Sequence, residues 1–480
     1  MKTRLREKNN LFIILIYVAV LTIYHLVLRE YGGDTMNFYA SQMGGRPTLH
    51  RIVEIMKESY YGLSSDSTSR VLVEIPLFII TNGMHMWLFV LSNIFMHILM
   101  IVSMMRITDY KHNKLLLCLL LMYPVFDLHS AGWITVYISY FWPLAAACVA
   151  FISLKKIYDG ERIGIAEGIF YILCELYGTN LEIVTALYLG VLIMFTVVVV
   201  LEHKCSMKQW GYIALHYLVC LGNFVFILTC PGNYTRTSSD IRYWFPDYPS
   251  LTLADKITIG VNTVMSELTD RNLLWGMMCL LLMVTVVCRY LNVEREAVDS
   301  DKDGHVRVLP VISVIPIASV ALRTVFKPFS MIFLPEYTAL FDEYSGAARV
   351  DATNYNNLLS YFPFIFFMAI LLIVLINLIL ISHDSGKGMI NGYLLLIGLA
   401  TRMVLAFSPS VYASGRRTMI VIDYMLIYLM MRIYDEHARE FDSSGSFRRL
   451  SRLLIYVLTI FIVISNVISV GFDYYYGITQ

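Results

Sequence analysis

The 480-residue sequence predicts an all-α membrane protein. Hydrophobic residues make up 58% of the chain and charged residues 15%, whereas soluble domains usually carry about 45–50% apolar and about 25% charged residues. The apolar residues form long continuous runs without the period-two alternation of a membrane β-barrel. These observations indicate a polytopic bundle with about 13 transmembrane helices, in a range of about 12 to 14.

The candidate spans are mostly apolar runs of about 20 residues, the length that crosses the hydrocarbon core. We place them at 11–28, 87–107, 114–126, 133–154, 163–177, 181–201, 210–230, 273–291, 308–325, 358–382, 389–407, 418–434 and 453–472. The first run has no small-residue cleavage site, so it is predicted to be a retained helix and not a signal peptide. The spans would form a single polytopic domain over residues 1–480.

Charge limits both the partners and the orientation. The 37 basic and 36 acidic residues leave a net charge of +1, which lacks the broad basic field of a nucleic-acid binder. Basic residues gather before the first span and in the segments 289–307 and 432–452. Because cytoplasmic loops collect Lys and Arg, we expect a plasma-membrane protein with a cytoplasmic N-terminus and an extracellular C-terminus.

Standard motifs of several enzyme classes are missing from the sequence. The eight cysteines show no CxxC or metal-type spacing and are predicted to be apolar packing residues. The sequence also contains no Walker A loop, GxGxxG, GxSxG or HExxH motif. Nucleotide hydrolysis, redox-cofactor chemistry and zinc proteolysis are therefore disfavoured.

Three predicted outer loops, 29–86, 231–272 and 326–357, are long and rich in aromatic residues, Gly and Pro. Loops of this length carry function more often than short connectors do. Apolar residues at helical spacing predict an amphipathic helix near 49–60 and a second one that begins at Thr252, with Asp255 completing a capping box. Both are expected to lie on the membrane surface and cover a cavity. The alternative is amphipathic packing with no site beneath it.

The first outer loop carries Gly32-Gly33-Asp34 a few residues past the first span. A carboxylate just outside the hydrocarbon, beside glycines that allow close backbone approach, suits a proton acceptor or a metal ligand. Asp after Gly is also a common turn former, which is the structural alternative. Asp34 is the candidate catalytic residue.

Several arginines lie in or near the predicted outer face. The guanidinium fork matches phosphate oxygens, so a group of these side chains would form a site for an anionic head group. A single arginine at this depth is more often one that reaches from the membrane to water. The candidates are Arg70, Arg236, Arg323, Arg402, Arg416 and Arg417.

Other polar and aromatic residues lie at the same predicted ends of the spans. Asn180 precedes the sixth span, Glu182 lies at its start, and Asn233 follows the seventh. Trp133 is expected either to anchor the span at the interface or to stack on a sugar ring.

Several short motifs, taken together in their order along the chain, resemble those of a family of bacterial multi-spanning membrane proteins related to the GT-C glycosyltransferases. The motifs that carry the resemblance are Asp34, Ser69-Arg70 followed by Glu74, Ala131-Gly132-Trp133 through Trp142-Pro143, Asn180 with Glu182, Pro231-Gly232-Asn233 with Arg236, and Ser408-Pro409 with Arg416. The resemblance implies an enzyme that moves a sugar from a polyprenyl-phosphate carrier to a cell-envelope glycan or lipid on the outer face of the bilayer.

The resemblance also assigns roles to residues. Asp34 would be catalytic, and the substrate-binding residues would be Arg70, Trp133, Asn180, Glu182, Asn233, Arg236, Arg416 and Arg417. GT-C enzymes often carry paired acidic residues in the first loop, whereas here Gly33 precedes a single Asp34. We therefore expect no cofactor, and the sequence does not support a divalent metal.

Two other classes fit part of the pattern. A polysaccharide polymerase or ligase also uses outer-loop arginines, and composition does not separate it from a transferase. A transporter or flippase would place charges across the middle of the bilayer and often has related halves, neither of which is seen in the sequence.

Overall fold

The computed structural model describes residues 2–30, 32–41, 49–63, 68–202, 205–297, 308–341, 356–442 and 445–479. Every regular element within these ranges is helical, so the all-α class is confirmed. Residues 342–355 of the predicted third outer loop lie outside the described residues.

The chain divides into two compact units, each built from more than one segment. Unit 1 comprises Met1–Tyr243, Ser414–Val421 and Tyr456–Gln480, and unit 2 comprises Trp244–Ala413 and Ile422–Ile455. The prediction of one polytopic domain stays a prediction. All nine residues predicted to be catalytic or substrate-binding belong to unit 1.

Unit 1 alternates long apolar helices with short connecting ones. Its helices are α1 (Lys2–Val27), α2 (Gly33–Ser41), α3 (Leu49–Tyr61), α4 (Val71–Thr81), α5 (Met86–Ile107), α6 (Asn113–Leu121), α7 (Trp133–Val136), α8 (Trp142–Tyr158), α9 (Ile165–Gly178), α10 (Glu182–Leu201), α11 (Met207–Leu228) and α12 (Gly232–Tyr243). The short helices α2, α3 and α4 lie within the predicted first outer loop.

The centre of unit 1 is a continuous helix over Trp133–Tyr158, in which a π-helical turn at Tyr137–Phe141 joins α7 to α8. Its most apolar window is 94% buried, and it packs against α5 and α9. A helix that is apolar all round is expected inside a bundle, and small residues such as Ala145–Ala147 allow neighbours to approach closely. This helix carries Tyr140 into the interior of unit 1.

Unit 2 contains the remaining helices. They are α13 (Leu253–Thr269), α14 (Leu273–Ala297), α15 (Val308–Val320), α16 (Lys327–Phe333), α17 (Pro335–Leu340), α18 (Phe362–Ile381), α19 (Ser385–Met403) and α20 (Ile420–Asp442). The last helix of the chain, α21 (Gly445–Thr479), enters unit 1 at Tyr456.

The two predicted surface helices both form, but one of them is not a surface helix. The capping box at the start of α13 is confirmed, since Asp255 Oδ2 accepts from Thr252 N at 2.7 Å and Thr252 Oγ1 accepts from Asp255 N at 3.3 Å. From Ile259 to Leu268 almost every side chain of α13 is buried, and the helix packs against α18 and α19. A helix lying on the membrane would keep a polar face exposed.

Among the described residues, eight helices are long and apolar enough to cross a membrane, and the number rises to ten if two sharply bent helix pairs each count as one span. Two predicted spans correspond to α6 and α9, with nine and 14 residues. At about 1.5 Å per residue they extend about 14 Å and about 21 Å, short of the roughly 30 Å core. The predicted span at 418–434 lies in α20, which carries Asp423 and Arg432. The count of thirteen stays a prediction.

Candidate functional site

An ion pair between Arg70 and Glu182 anchors the candidate site. Arg70 precedes α4, and its Nε donates to Glu182 Oε2 at 2.9 Å, while Ser69 Oγ donates to the other carboxylate oxygen at 3.2 Å. Glu182 is the first residue of α10, where the helix dipole favours a carboxylate. The Arg70 guanidinium also lies over the Tyr140 ring, 5.3 Å from its centre.

Two further arginines lie near Tyr140. The guanidinium carbon of Arg417 lies 6.0 Å from the centre of the Tyr140 ring. Arg236, on α12, lies close enough for its charge to act on both Tyr140 and Glu182. We call Arg70, Arg236 and Arg417 the arginine cluster. Tyr140 was not predicted to be a site residue. It lies within the stretch from Ala131 to Pro143 that carries part of the family resemblance, and this position is the sequence feature that could have identified it.

The charges of the cluster are only partly compensated. Arg70 pairs with Glu182, and Arg236 Nε lies 3.7 Å from Asp240 Oδ2. Arg417 forms no ion pair with the described residues, and its buried Nε has no hydrogen-bond partner among them. A half-buried guanidinium in this state is suited to an anionic ligand that accepts hydrogen bonds.

Arg70 stays charged in spite of its burial. Burial alone would lower the pKa of Arg70, but the neighbouring Glu182 carboxylate and Tyr140 hydroxyl outweigh that effect and raise the pKa above its ordinary value. A nearby opposite charge favours the charged form of a titratable group. The cluster is therefore a fixed positive site at all pH values in which the protein works.

The glycine turn before α2 brings Asp34 against the segment that precedes α7. Asp34 N donates to Ala131 O at 3.0 Å. Gly33 has a φ of +67°, and a Cβ on it would lie 2.6 Å from the Ala131 carbonyl carbon. Gly132, across the contact, has a φ of +91°. The predicted role in allowing close approach is confirmed for Gly33, whereas a Cβ on Gly32 would meet no atom within 4 Å. The Asp34 side chain is exposed in the first turn of α2.

Arg416 contacts the same segment. Its Nε donates to Asp127 Oδ2 at 3.2 Å, four residues before the Ala131 carbonyl that holds Asp34. The same segment continues into the helix that begins at Trp133. Tyr140 lies six residues beyond Ile134 along that helix, which is a rise of about 9 Å. The segment 127–140 therefore connects the Asp34 turn, Arg416 and the arginine cluster within unit 1.

Glu30 is a second carboxylate at this turn, and the sequence analysis missed it. Its Oε2 accepts from Ile134 N at 3.0 Å, while its buried Oε1 has no hydrogen-bond partner among the described residues. Burial raises the pKa of Glu30 to about 7, although hydrogen bonds from Ile134 and Thr35 act in the opposite direction. The available signal was an acidic residue directly after an apolar span, four residues before Asp34.

Two other residues that were predicted to bind substrate are buried and have structural contacts instead. Trp133 is fully buried and packs against His129 and Tyr137, so the structure does not present its ring to a sugar. Asn180 is also buried; its Oδ1 accepts from Leu72 N at 2.9 Å and its Nδ2 donates to Ser69 O at 3.5 Å. Asn180 thus positions the turn that carries Arg70.

Three more candidate residues contact groups other than Tyr140 and the Asp34 turn. Asn233 Nδ2 donates to Ile227 O at 2.8 Å and so holds the turn between α11 and α12. Arg323 and Arg402 belong to unit 2, where they contact Ser266 and Glu267.

In the described residues, fold and site together define an α-helical protein with eight or more helices long and apolar enough to cross a membrane, an arginine-rich site around Tyr140, and the carboxylates of Glu30 and Asp34 on either side of the glycine turn. The chain matches no protein-family model, no curated protein sequence and no solved structure.

Proposed function

We propose that the protein is a membrane glycosyltransferase of the GT-C type, which moves a sugar from a polyprenyl-phosphate carrier to a cell-envelope glycan or lipid acceptor. The observation that carries the proposal is the arginine cluster around Tyr140, connected through segment 127–140 to the turn that holds Glu30 and Asp34. One part of this arrangement suits a phosphate, and the other suits proton transfer.

The arginine cluster would bind the carrier phosphate. Arg417, whose Nε has no hydrogen-bond partner among the described residues, lies near the same Tyr140 ring as Arg70, and the charge of Arg236 acts on the same tyrosine. Arg416 and Arg417 were both predicted to bind substrate, and the contact of Arg416 with Asp127 favours Arg417 as the phosphate ligand. Fixed positive charge would stabilise the phosphate as it leaves, and the long apolar helices of unit 1 suit a lipid-linked donor.

Asp34 would act as the general base. It would take the proton of an acceptor hydroxyl as that oxygen attacks the anomeric carbon; the bond from this carbon to the carrier phosphate breaks, and the phosphate leaves with the electron pair. No covalent intermediate is needed. Glu30, which can hold or release a proton near neutral pH, would support the charge balance of the same turn.

The proposal includes a membrane orientation. The site would face the outer leaflet of the plasma membrane, with the N-terminus in the cytoplasm, the C-terminus outside and about thirteen spans in total. The basic segments before the first span and at 432–452 support this orientation.

The test is a reconstitution of the full chain in lipid nanodiscs with a panel of polyprenyl-phosphate sugars and glycan or lipid acceptors. We expect release of free polyprenyl phosphate and an acceptor extended by one sugar. A product extended by many sugars would instead indicate a polymerase. No release across the panel, together with solute uptake into liposomes that contain the protein, would replace the proposal with a transporter.

A further inference from the structure

Two histidines and a glutamate of unit 2 gather where the turn after α18 meets the end of α20. Glu440 Oε1 lies 3.4 Å from His383 Nε2 and 3.1 Å from His437 Nδ1, and the three ligand atoms all lie within 4.8 Å of one another. Ligands bound to zinc at about 2.0–2.1 Å can be at most about 4.2 Å apart. Both Glu–His distances fit, and the two histidines need at most a small side-chain rotation.

The backbone holds these side chains in place. His437 and Glu440 are three residues apart on α20 and so share a face. Glu436, one residue before His437, accepts from His383 N at 2.7 Å. Arg289 donates to the last two carbonyl oxygens of α18 at 2.7 and 2.8 Å. The turn that carries His383 is therefore tied to α20 and to α14 without any ligand.

The three side chains range from fully buried to half-exposed. His437 has no exposed surface. Glu440 is 20% exposed and His383 50% exposed, so a hydrated ion can reach the group from the His383 side.

We propose that His383, His437 and Glu440 bind a divalent transition-metal ion of the zinc type, with water as a fourth ligand. Two imidazoles and one carboxylate match the ligands that zinc takes in proteins, whereas calcium and magnesium prefer oxygen ligands. The ion would cross-link the turn after α18 to the end of α20 and so stabilise unit 2. This inference does not depend on the proposed glycosyltransferase activity.

The experiment uses the full chain in detergent, stripped of metal with a chelator. Zn²⁺ is titrated by calorimetry, and Co²⁺ serves as a spectroscopic probe, because its visible absorption reports on the number and type of ligands. We expect one high-affinity ion per chain. Since an ion that binds only the folded state stabilises it, Zn²⁺ should also raise the unfolding temperature.

Variants identify the ligands. His383→Ala changes a half-exposed side chain, so the fold should persist, while Zn²⁺ affinity should fall at least about tenfold; Glu440→Gln should behave likewise. His50→Ala is the matched control, because His50 lies 3.7 Å from Glu54 on an exposed face of α3 and should leave the affinity unchanged. If the parent chain binds no Zn²⁺, or if His383→Ala retains the parent affinity, the three side chains form only an ion-paired group and the proposal is overturned.

Discussion

The guanidinium of Arg70 and the carboxylate of Glu182 form an ion pair across 112 residues of sequence, with Nε and Oε2 2.9 Å apart. Their side chains are only 15% and 28% exposed, and Asn180 holds the backbone on either side of Arg70. The site therefore has its principal cation in position before any ligand arrives. Pre-positioned charge of this kind costs little reorganisation on binding.

The first prediction concerns this pair. Glu182→Gln leaves a mostly buried guanidinium without its counter-charge, so the free energy of unfolding should fall by about 2–3 kcal/mol. Replacing both partners, as in Arg70→Met with Glu182→Gln, should recover part of the loss. Thermal unfolding in detergent measures both effects.

An exposed ion pair provides the control for this prediction. Arg51 and Glu58 on α3 lie 3.6 Å apart with half-exposed side chains, so Glu58→Gln should change stability little. Equal effects of Glu182→Gln and Glu58→Gln would show that the Arg70–Glu182 pair does not stabilise the fold.

The second prediction compares two adjacent glycines. Gly33→Ala would place a Cβ 2.6 Å from a backbone carbon while forcing a side chain to a φ of +67°. Because backbone cannot move aside cheaply, we expect displacement of the Asp34 turn and a clear fall in unfolding temperature. Gly32→Ala meets no atom within 4 Å and should be tolerated. A tolerated Gly33→Ala would mean that the turn adapts.

Local features of this protein are predictable from its sequence, and distant ones are not. The capping box at Thr252 and Asp255, the close approach at the Gly33 turn and the helical segments all follow from short patterns. The pairing of Arg70 with Glu182 brings the segment before α4 to the start of α10, which no short pattern encodes. The sequence could therefore predict a site that binds an anion, but it could not predict which arginines form that site.

Burial was the other property that composition could not predict. An aromatic residue at the end of an apolar run suits both a membrane interface and a protein core, and Trp133 is in the core. The helical pattern of α13 looked like a surface helix, yet α13 forms an 80° bend with α14 and is enclosed by neighbours.

The third prediction uses the titration of Glu30. Its pKa is about 7 in the folded protein and 4.5 ordinarily, so folding takes up a proton between these pH values. The stability that the protonated group contributes is complete below about 4.5 and is lost as pH rises through about 7. The unfolding temperature of the parent protein should therefore fall more over this window than that of Glu30→Gln, which cannot titrate.

A series of thermal scans from acid to neutral pH tests this difference. Glu54→Gln, on an exposed face of α3, should keep the slope of the parent protein. Identical slopes for Glu30→Gln and the parent protein would show that Glu30 has an ordinary pKa.

The fourth prediction separates the two adjacent arginines. Charge-assisted hydrogen bonds contribute about 1.5–3 kcal/mol, so Arg417→Ala should weaken binding of a polyprenyl phosphate by about 10- to 100-fold. Arg416 already donates to Asp127, so Arg416→Ala should weaken it much less. Titration of the carrier into protein held in nanodiscs measures both affinities. A larger loss for Arg416→Ala would return the phosphate role to that residue.

The fifth prediction addresses the proposed base. Asp34→Asn keeps the size and turn preference of the side chain but removes its ability to accept a proton, so transfer should slow by about 10²- to 10⁴-fold. Affinity for the donor should stay close to that of the parent protein, because the arginine cluster is intact. The measurements are the transfer rate at saturating donor and the donor titration.

Asp109→Asn is the matched control for Asp34→Asn. Asp109 is 46% exposed, pairs with Lys155 at 2.9 Å and has a φ of +55°, which Asn tolerates well. This variant should transfer sugar at the parent rate. If Asp34→Asn also does so, Asp34 has no part in proton transfer, and Glu30 becomes the carboxylate to test, since its Oε2 accepts from Ile134 N at the start of α7.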